Sequence, residues 1–150
     1  MRATIRIQME DFDIGHESDA LTAGSNAGAL VNFVGLVRDD HALISLTLEH
    51  YPGMTEREIG RHVDEAASRW PLTSVTVIHR VGRLVPGDKI VFVGATSSHR
   101  QAAFEATEFL MDYLKTRAPF WKSEERADGM SWAEARASDE SAAERWTEKS

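Results

Sequence analysis

Apolar and polar residues alternate from Thr4 to Met9 (TIRIQM). That is the period of a half-buried strand, and the segment is read as an edge strand. Ile14 to Ala23 has room for a short helix, followed by a loop at Gly24–Ser25–Asn26. Gly28 to Val37 (GALVNFVGLV) is a strongly apolar strand interrupted by Gly35, where a glycine points to a bulge or a close backbone approach. A polar loop, Arg38–Asp39–Asp40–His41, comes next. Ile44 to His50 then returns as a strand, and the two strands are expected to pair as a hairpin.

Beyond the Pro52–Gly53 turn, Thr55 with Glu58 three residues on fits a capping box. Ile59, Val63, Ala66, Ala67 and Trp70 share one face of the helix that follows, and Pro71 stops it. Ser74 to Arg80 (SVTVIHR) and Lys89 to Ala95 (KIVFVGA) read as strands flanking a turn at Pro86–Gly87–Asp88. Ser97 or Ser98 can cap a long helix running to about Arg117, with a stripe at Ala102, Ala106, Phe109, Leu110, Tyr113 and Leu114. Pro119 ends it, and Phe120 to Glu124 reads as extended. Hairpins followed by helices, rather than regular βαβ alternation, predict an α+β fold with a mostly antiparallel sheet.

The stretch from Ser123 to Ser150 holds eight acidic and four basic residues, so it carries −4 of the net −7. It also holds Trp132 and Trp146, and disordered tails seldom carry aromatic residues of this kind. It is read as a partly ordered segment, docked on its own chain or on a partner, within a single domain spanning residues 1–150.

Composition narrows the function. A chain of 150 residues suits one domain with a real core. No apolar run approaches the roughly 18 residues that a membrane span needs, and MRATIRIQMEDFD lacks the apolar stretch of a signal peptide. A cytoplasmic location is expected. Cysteine is absent, which excludes disulfides, thiolate metal sites and cysteine nucleophiles; any sulfur chemistry must use sulfur brought by something else. A net charge of −7 argues against a nucleic-acid partner. Against that acidic background a local basic cluster is informative.

Two such clusters stand out. Ser97–Ser98–His99–Arg100 lies where a strand hands over to a helix, and free backbone N–H groups there favour an anion. An ordinary cap with two solvated residues is the alternative. Lys115 and Lys122 bracket Thr-Arg-Ala-Pro-Phe-Trp. A lysine held against apolar walls can serve as acid, base or nucleophile, while a cation at a helix C-terminus also complements the helix dipole. Arg38, at a strand end, has the planar fork that grips phosphate or carboxylate, or it is a surface ion-pair partner. The six histidines show no metal-ligand spacing, and no cofactor is implied.

The strings LTLEHYPGMTE (46–56), RWPLTSVTVIHRVGRLVPGDKIVFVGATSSHRQAAFEA (69–106) and MDYLKTRAPFWK (111–122) resemble the catalytic, larger subunit of molybdopterin synthase. The likeness runs from Ala27 through Trp146, with a looser match before that. It implies an α/β hammerhead fold with an additional antiparallel β subdomain. It implies conversion of cyclic pyranopterin monophosphate to molybdopterin, using two sulfurs from the thiocarboxylated Gly-Gly C-terminus of a small ubiquitin-like sulfur-carrier subunit. Large subunits of this family form a homodimer at the centre of a heterotetramer. By the same resemblance Lys115 matches the catalytic lysine, and Lys122 a second pocket lysine followed by the substrate contacts Ser123 and Glu124. His99, Arg100 and Arg38 match substrate-binding residues, and Phe33, Leu36, Val37, Met111 and Arg136 line or neighbour the pocket. Leu36 stands where some relatives carry a lysine, and the loop after Arg38 (Asp39 to Ile44) is short. The competing class is a non-catalytic module that holds an acidic or Gly-Gly peptide tail.

Overall fold

The computed structural model describes residues 1–132 and Trp146. In chain order the elements are β1 (Arg2–Gln8), α1 (Ile14–Thr22), β2 (Ala29–Leu36), β3 (Ser45–His50), α2 (Met54–Arg69) and β4 (Leu72–Arg80). They continue with β5 (Gly82–Leu84), β6 (Lys89–Ser97), α3 (Arg100–Thr116), β7 (Phe120–Arg126) and β8 (Gly129–Trp132). The fold is α+β, with an α/β body and an antiparallel subdomain. None of the described helices is long and apolar enough to cross a membrane.

The body is a four-stranded sheet in the order β1-β4-β6-β2. β1 runs parallel to β4, and the other pairs are antiparallel. Its central strands are covered on both faces. Val75, Val77, Val91, Val93 and Ala95 meet α2 and α3 through Ile59, Val63, Ala106, Phe109 and Leu110. On the other face Ile78 and Phe92 meet Phe12 and Leu21, the latter from α1. Leu21 comes so close that a Cβ on Gly94 would lie 2.4 Å from its Cδ1, so β6 needs a glycine at this point. Gly35 shows both features expected of it. The register shifts between Gly35 and Leu36, and a Cβ at Gly35 would meet the Val91 side chain at 2.7 Å.

The subdomain is a second sheet in the order β5-β3-β7-β8, all antiparallel. A small core of Val37, Leu48 and Leu84 ties it to the body, with Ile90 and Phe120 packed against it.

Three expectations are corrected. β2 and β3 do not form a hairpin: β2 pairs with β6, and β3 with β5 and β7. Residues between them take positive φ at His41 and Ala42, and Val37 is bound instead to the 87–88 turn, through its N–H to Asp88 (2.9 Å) and its carbonyl from Gly87 (2.8 Å). The strand pattern identifies strands but not their partners. Next, α2 starts at Met54, and it is Glu56 whose carboxylate accepts the Gly53 N–H (2.8 Å). Thr55 turns inward, accepting from the Tyr51 N–H and donating to the Pro119 carbonyl, and Glu58 pairs with Arg61. Finally, His99 is the N-cap of α3; the Ser97 hydroxyl accepts from the His99 N–H (3.1 Å) and donates to the Pro71 carbonyl (2.6 Å).

Candidate active site

Lys122 enters the site from β7, opposite Leu48 of β3, and Phe120 lies opposite His50. Alternate residues of a strand share a face. Phe120 and Lys122 therefore look the same way, toward the small core that joins the two sheets. His79 of β4 stacks on Phe120 with ring centroids 4.0 Å apart. Its Nδ1 lies 2.9 Å from the Arg80 carbonyl, which can only accept, so Nδ1 carries the proton. Burial pushes the His79 imidazole down to about 4; its hydrogen bond to Arg80 opposes this, and the charges of Lys122, Lys115 and His50 add to it. The amines of β7 and of the α3 C-terminus thus bear on one buried, neutral ring.

Lys115, in the last turn of α3, also closes a groove of about 450 Å³ between α3 and β2. Phe104, Glu108, Met111 and Lys115 recur at helical spacing along one side; Val31, Asn32 and Phe33 form the other. Phe33 and Phe104 are both exposed, and β2 is an edge strand of its sheet. The groove can take a narrow extended chain along apolar walls and meet an anionic end with the Lys115 ammonium. Lys115 itself is exposed rather than enclosed.

The remaining sequence-predicted residues fall in several places. His99 and Arg100 are exposed at the N-terminal end of α3. Fifteen residues of helix separate Arg100 from Lys115, roughly 22 Å at the α-helical rise, so one chain does not bring these groups together around a small substrate. Arg38 is exposed just past β2, and Leu36 is exposed at the bulge. Val37 belongs to the small core between the sheets. Its side chain is buried with Leu48 and Leu84. Ser123 lies opposite Thr47 on β7. The Glu124 carboxylate is held by Arg126, whose guanidinium also reaches the Asp40 and His41 carbonyls and so pins the short loop after Arg38. Arg136 lies outside the described residues. Among the described residues no group of three His, Asp or Glu side chains is arranged to hold a metal ion.

Sequence reasoning passed over His50, His79 and Arg126. A histidine ending the buried run SVTVIH was the signal available, since a polar residue in a two-sided apolar strand must have a partner.

The family model described as MoaE protein matches residues 7–117. The chain belongs to the MoaE family. The molybdopterin synthase catalytic subunit of Mesorhizobium japonicum is 58% identical, covering 98% of this chain and 95% of that protein. Its namesake in Escherichia coli K12 is 56% identical, over 91% and 93%. The MoaE protein structure from Burkholderia ambifaria superposes with a TM-score of 0.84 at 52% identity, covering 97% of this chain and 98% of that one. With these MoaE relatives the chain shares the activity of a molybdopterin synthase catalytic subunit, an enzyme of molybdenum cofactor biosynthesis, and the non-catalytic module is set aside.

Proposed function

We propose that Lys115 and Lys122 carry the sulfur transfer that converts cyclic pyranopterin monophosphate to molybdopterin. The sulfur arrives as the thiocarboxylate at the Gly-Gly C-terminus of a small ubiquitin-like partner. The observation that carries this reading is the convergence of the two lysines, one closing an apolar groove from α3 and the other reaching the same neighbourhood from β7. Glycines have no side chain to clash with Phe33 and Met111, so a Gly-Gly tail suits the groove and ends on the Lys115 ammonium. A lysine there stabilises the anion, then gives a proton to the oxygen that leaves the substrate as sulfur adds; water then cleaves the carrier's acyl–sulfur bond, leaving the sulfur on the substrate and a carboxylate on the carrier. The lack of cysteine fits sulfur that is delivered rather than stored on this chain. A catalytic subunit by name also implies a companion.

The substrate phosphate goes to His99, Arg100 and Arg38, on the side chains and free N–H groups where α3 begins. Because α3 spaces Arg100 and Lys115 roughly 22 Å apart, the complete site takes the start of α3 from a second copy, in a homodimer at the core of a heterotetramer.

Lys115→Ala, assayed with thiocarboxylated carrier and pyranopterin, is expected to lose at least about 100-fold in turnover while staying folded; near-normal turnover would sink the assignment. Arg100→Ala is expected to weaken substrate binding before it affects carrier binding. At a substrate concentration too low to saturate Arg100→Ala, mixing the two variants should raise the activity above that of either alone, since mixed dimers contain one intact composite site. No recovery from a mixture shown to exchange subunits would rule out the two-chain site.

A further inference from the structure

Two imidazoles meet the Phe120 ring where the sheets join. His79 stacks on it, and His50 of β3 lies against it with a centroid distance of 6.5 Å and an interplanar angle of 37°. Their situations differ. His79 is buried, its Nδ1–H is held by the Arg80 carbonyl, and burial pushes it down to about 4, so it is too weak a base to hold a proton near neutral pH. His50 is half-buried, and its ring makes no hydrogen bond to any described residue. Imidazole is the side chain that most readily takes and returns a proton near neutral pH, and its neutral form keeps one acceptor nitrogen for the purpose.

Strand register sets His50 beside the lysines. His50 pairs with Phe120 and Leu48 with Lys122, so His50 and Lys122 share a face as diagonal neighbours, roughly 7–8 Å apart at Cα. The charges of Lys122, Lys115 and His50 all bear on the His79 ring, which gathers the three groups around one point. The end of β3 is held there. The Thr55 hydroxyl accepts from the Tyr51 N–H and donates to the Pro119 carbonyl, tying the turn after His50 to the start of β7. Glu108 and Asp112, the carboxylates of the groove, lie two turns and one turn back from Lys115 along α3. With the tail ending at Lys115, they flank it ahead of its terminal carbon, and His50 belongs to the cluster at that end.

We propose that His50 is a further catalytic residue, the general base for the water that cleaves the carrier's acyl–sulfur bond. This rests on the sulfur transfer proposed above for Lys115 and Lys122. Once sulfur has added, it joins the carrier's acyl carbon to the substrate carbon as a thioester. The His50 imidazole takes a proton from water as the water oxygen bonds to the acyl carbon. Lys122, on the same face, stabilises the oxyanion that forms. The bond between acyl carbon and sulfur then breaks, with its electron pair leaving on sulfur. The imidazolium gives its proton to that thiolate, and the carrier's new carboxylic acid ionises to solvent. No oxidant or reductant is needed.

His50→Ala, assayed with thiocarboxylated carrier and cyclic pyranopterin monophosphate, is expected to lose about 100-fold or more in turnover. The thioester between carrier and substrate should accumulate, visible as a covalent adduct by intact mass spectrometry and released by hydroxylamine. Added imidazole should raise turnover several-fold and clear the adduct, which a loss of packing alone would not allow. His50→Gln keeps the bulk of the side chain if the alanine variant does not fold, and the same adduct is expected to build up in it. Near-parental turnover in a folded variant, or slow turnover without the adduct, overturns the proposal. Failure of the sulfur-transfer reading looks different, because the parent protein then makes no product from this carrier and substrate. Should Lys115→Ala prove active, only the role of Lys115 falls, and the adduct in the His50 variants still decides the base.

Discussion

Along β4 six consecutive residues, Ser74–His79, are buried, whereas no residue of β7 is. Both strands are central in four-stranded sheets. The difference comes from what covers them. β4 and β6 have α2 and α3 on one face and α1 on the other, so both sides of the pleat must be apolar. β3 and β7 pack against the body on one face only. Their other face carries Thr47, Glu49, Trp121, Ser123 and Glu125, and their inner face can admit a lysine at its margin. A sheet sealed on both sides holds its geometry but leaves no room for a substrate. A sheet sealed on one side leaves Lys122 only half-buried at its margin, while Phe120 stacks on His79 of the rigid sheet behind it.

The largest expected effect breaks the sealed sheet. Phe92 is fully buried, meets Phe12 edge-on at 5.9 Å, and faces Leu21 and Ile78. Phe92→Ala is expected to cost about 3–5 kcal/mol, the usual range for emptying a packed aromatic site. Trp121, more than a third exposed and packed on Tyr51, offers the control: Trp121→Ala should cost about 1 kcal/mol. Urea unfolding of both variants measures the two losses. Equal losses would mean that coverage does not separate the sheets.

The same contrast explains what could be read from the sequence. Strands and helices were legible because Ile59, Val63 and Ala66 repeat at helical spacing and TIRIQM alternates. Gly35 was legible because a glycine inside an apolar strand has few other uses. Strand pairing was not. Both GALVNFVGLV and ISLTLEH satisfy the strand pattern, and nothing within 37–44 says that the chain crosses between sheets there. For the site, Lys115 and Lys122 stand out as basic residues in an acidic chain, and the roles that the resemblance to the molybdopterin synthase large subunit implies for them are the ones proposed above. Phe33 and Met111 joined Lys115 in one groove. The separation of Arg100 from Lys115 along α3 follows from helix length, yet it escapes a reading that gathers residues by chemistry alone. His79 escaped because its role comes from stacking across sheets.

A middle-sized effect lies at the junction of the two sheets. The folded chain resists protonating His79 until about pH 4, against an ordinary value of 6.5. Between those values the unfolded chain binds the extra proton. The stability associated with a neutral His79 is therefore complete above about pH 6.5 and is lost as pH falls toward 4, by on the order of 3 kcal/mol. His79→Phe keeps a ring to stack on Phe120 and removes the titration. Its stability at pH 7 should be lower, because the Arg80 carbonyl loses its donor. Its fall between pH 6.5 and 4.5 should be shallower than that of the parent. Parallel denaturation curves across that window would mean that His79 does not govern the acid side.

The smallest effect tests whether the half-covered sheet is a separate unit of stability. Ser45 is buried at the start of β3, and its hydroxyl donates to Glu125 Oε1 across the β3–β7 ladder at 2.8 Å. Removing the hydroxyl in Ser45→Ala should cost about 1 kcal/mol, since Glu125 keeps solvent and lies 3.7 Å from Arg83. The location of that loss is the informative part. Proteins open in cooperative segments, and sparse burial marks the weaker ones. Hydrogen exchange of Ser45→Ala should show faster exchange at β3 and β7 amides, while those of β4 and β6 keep the protection of the parent. If all four strands lose protection together, the two sheets open as one body, and their unequal coverage shapes the site without dividing the stability.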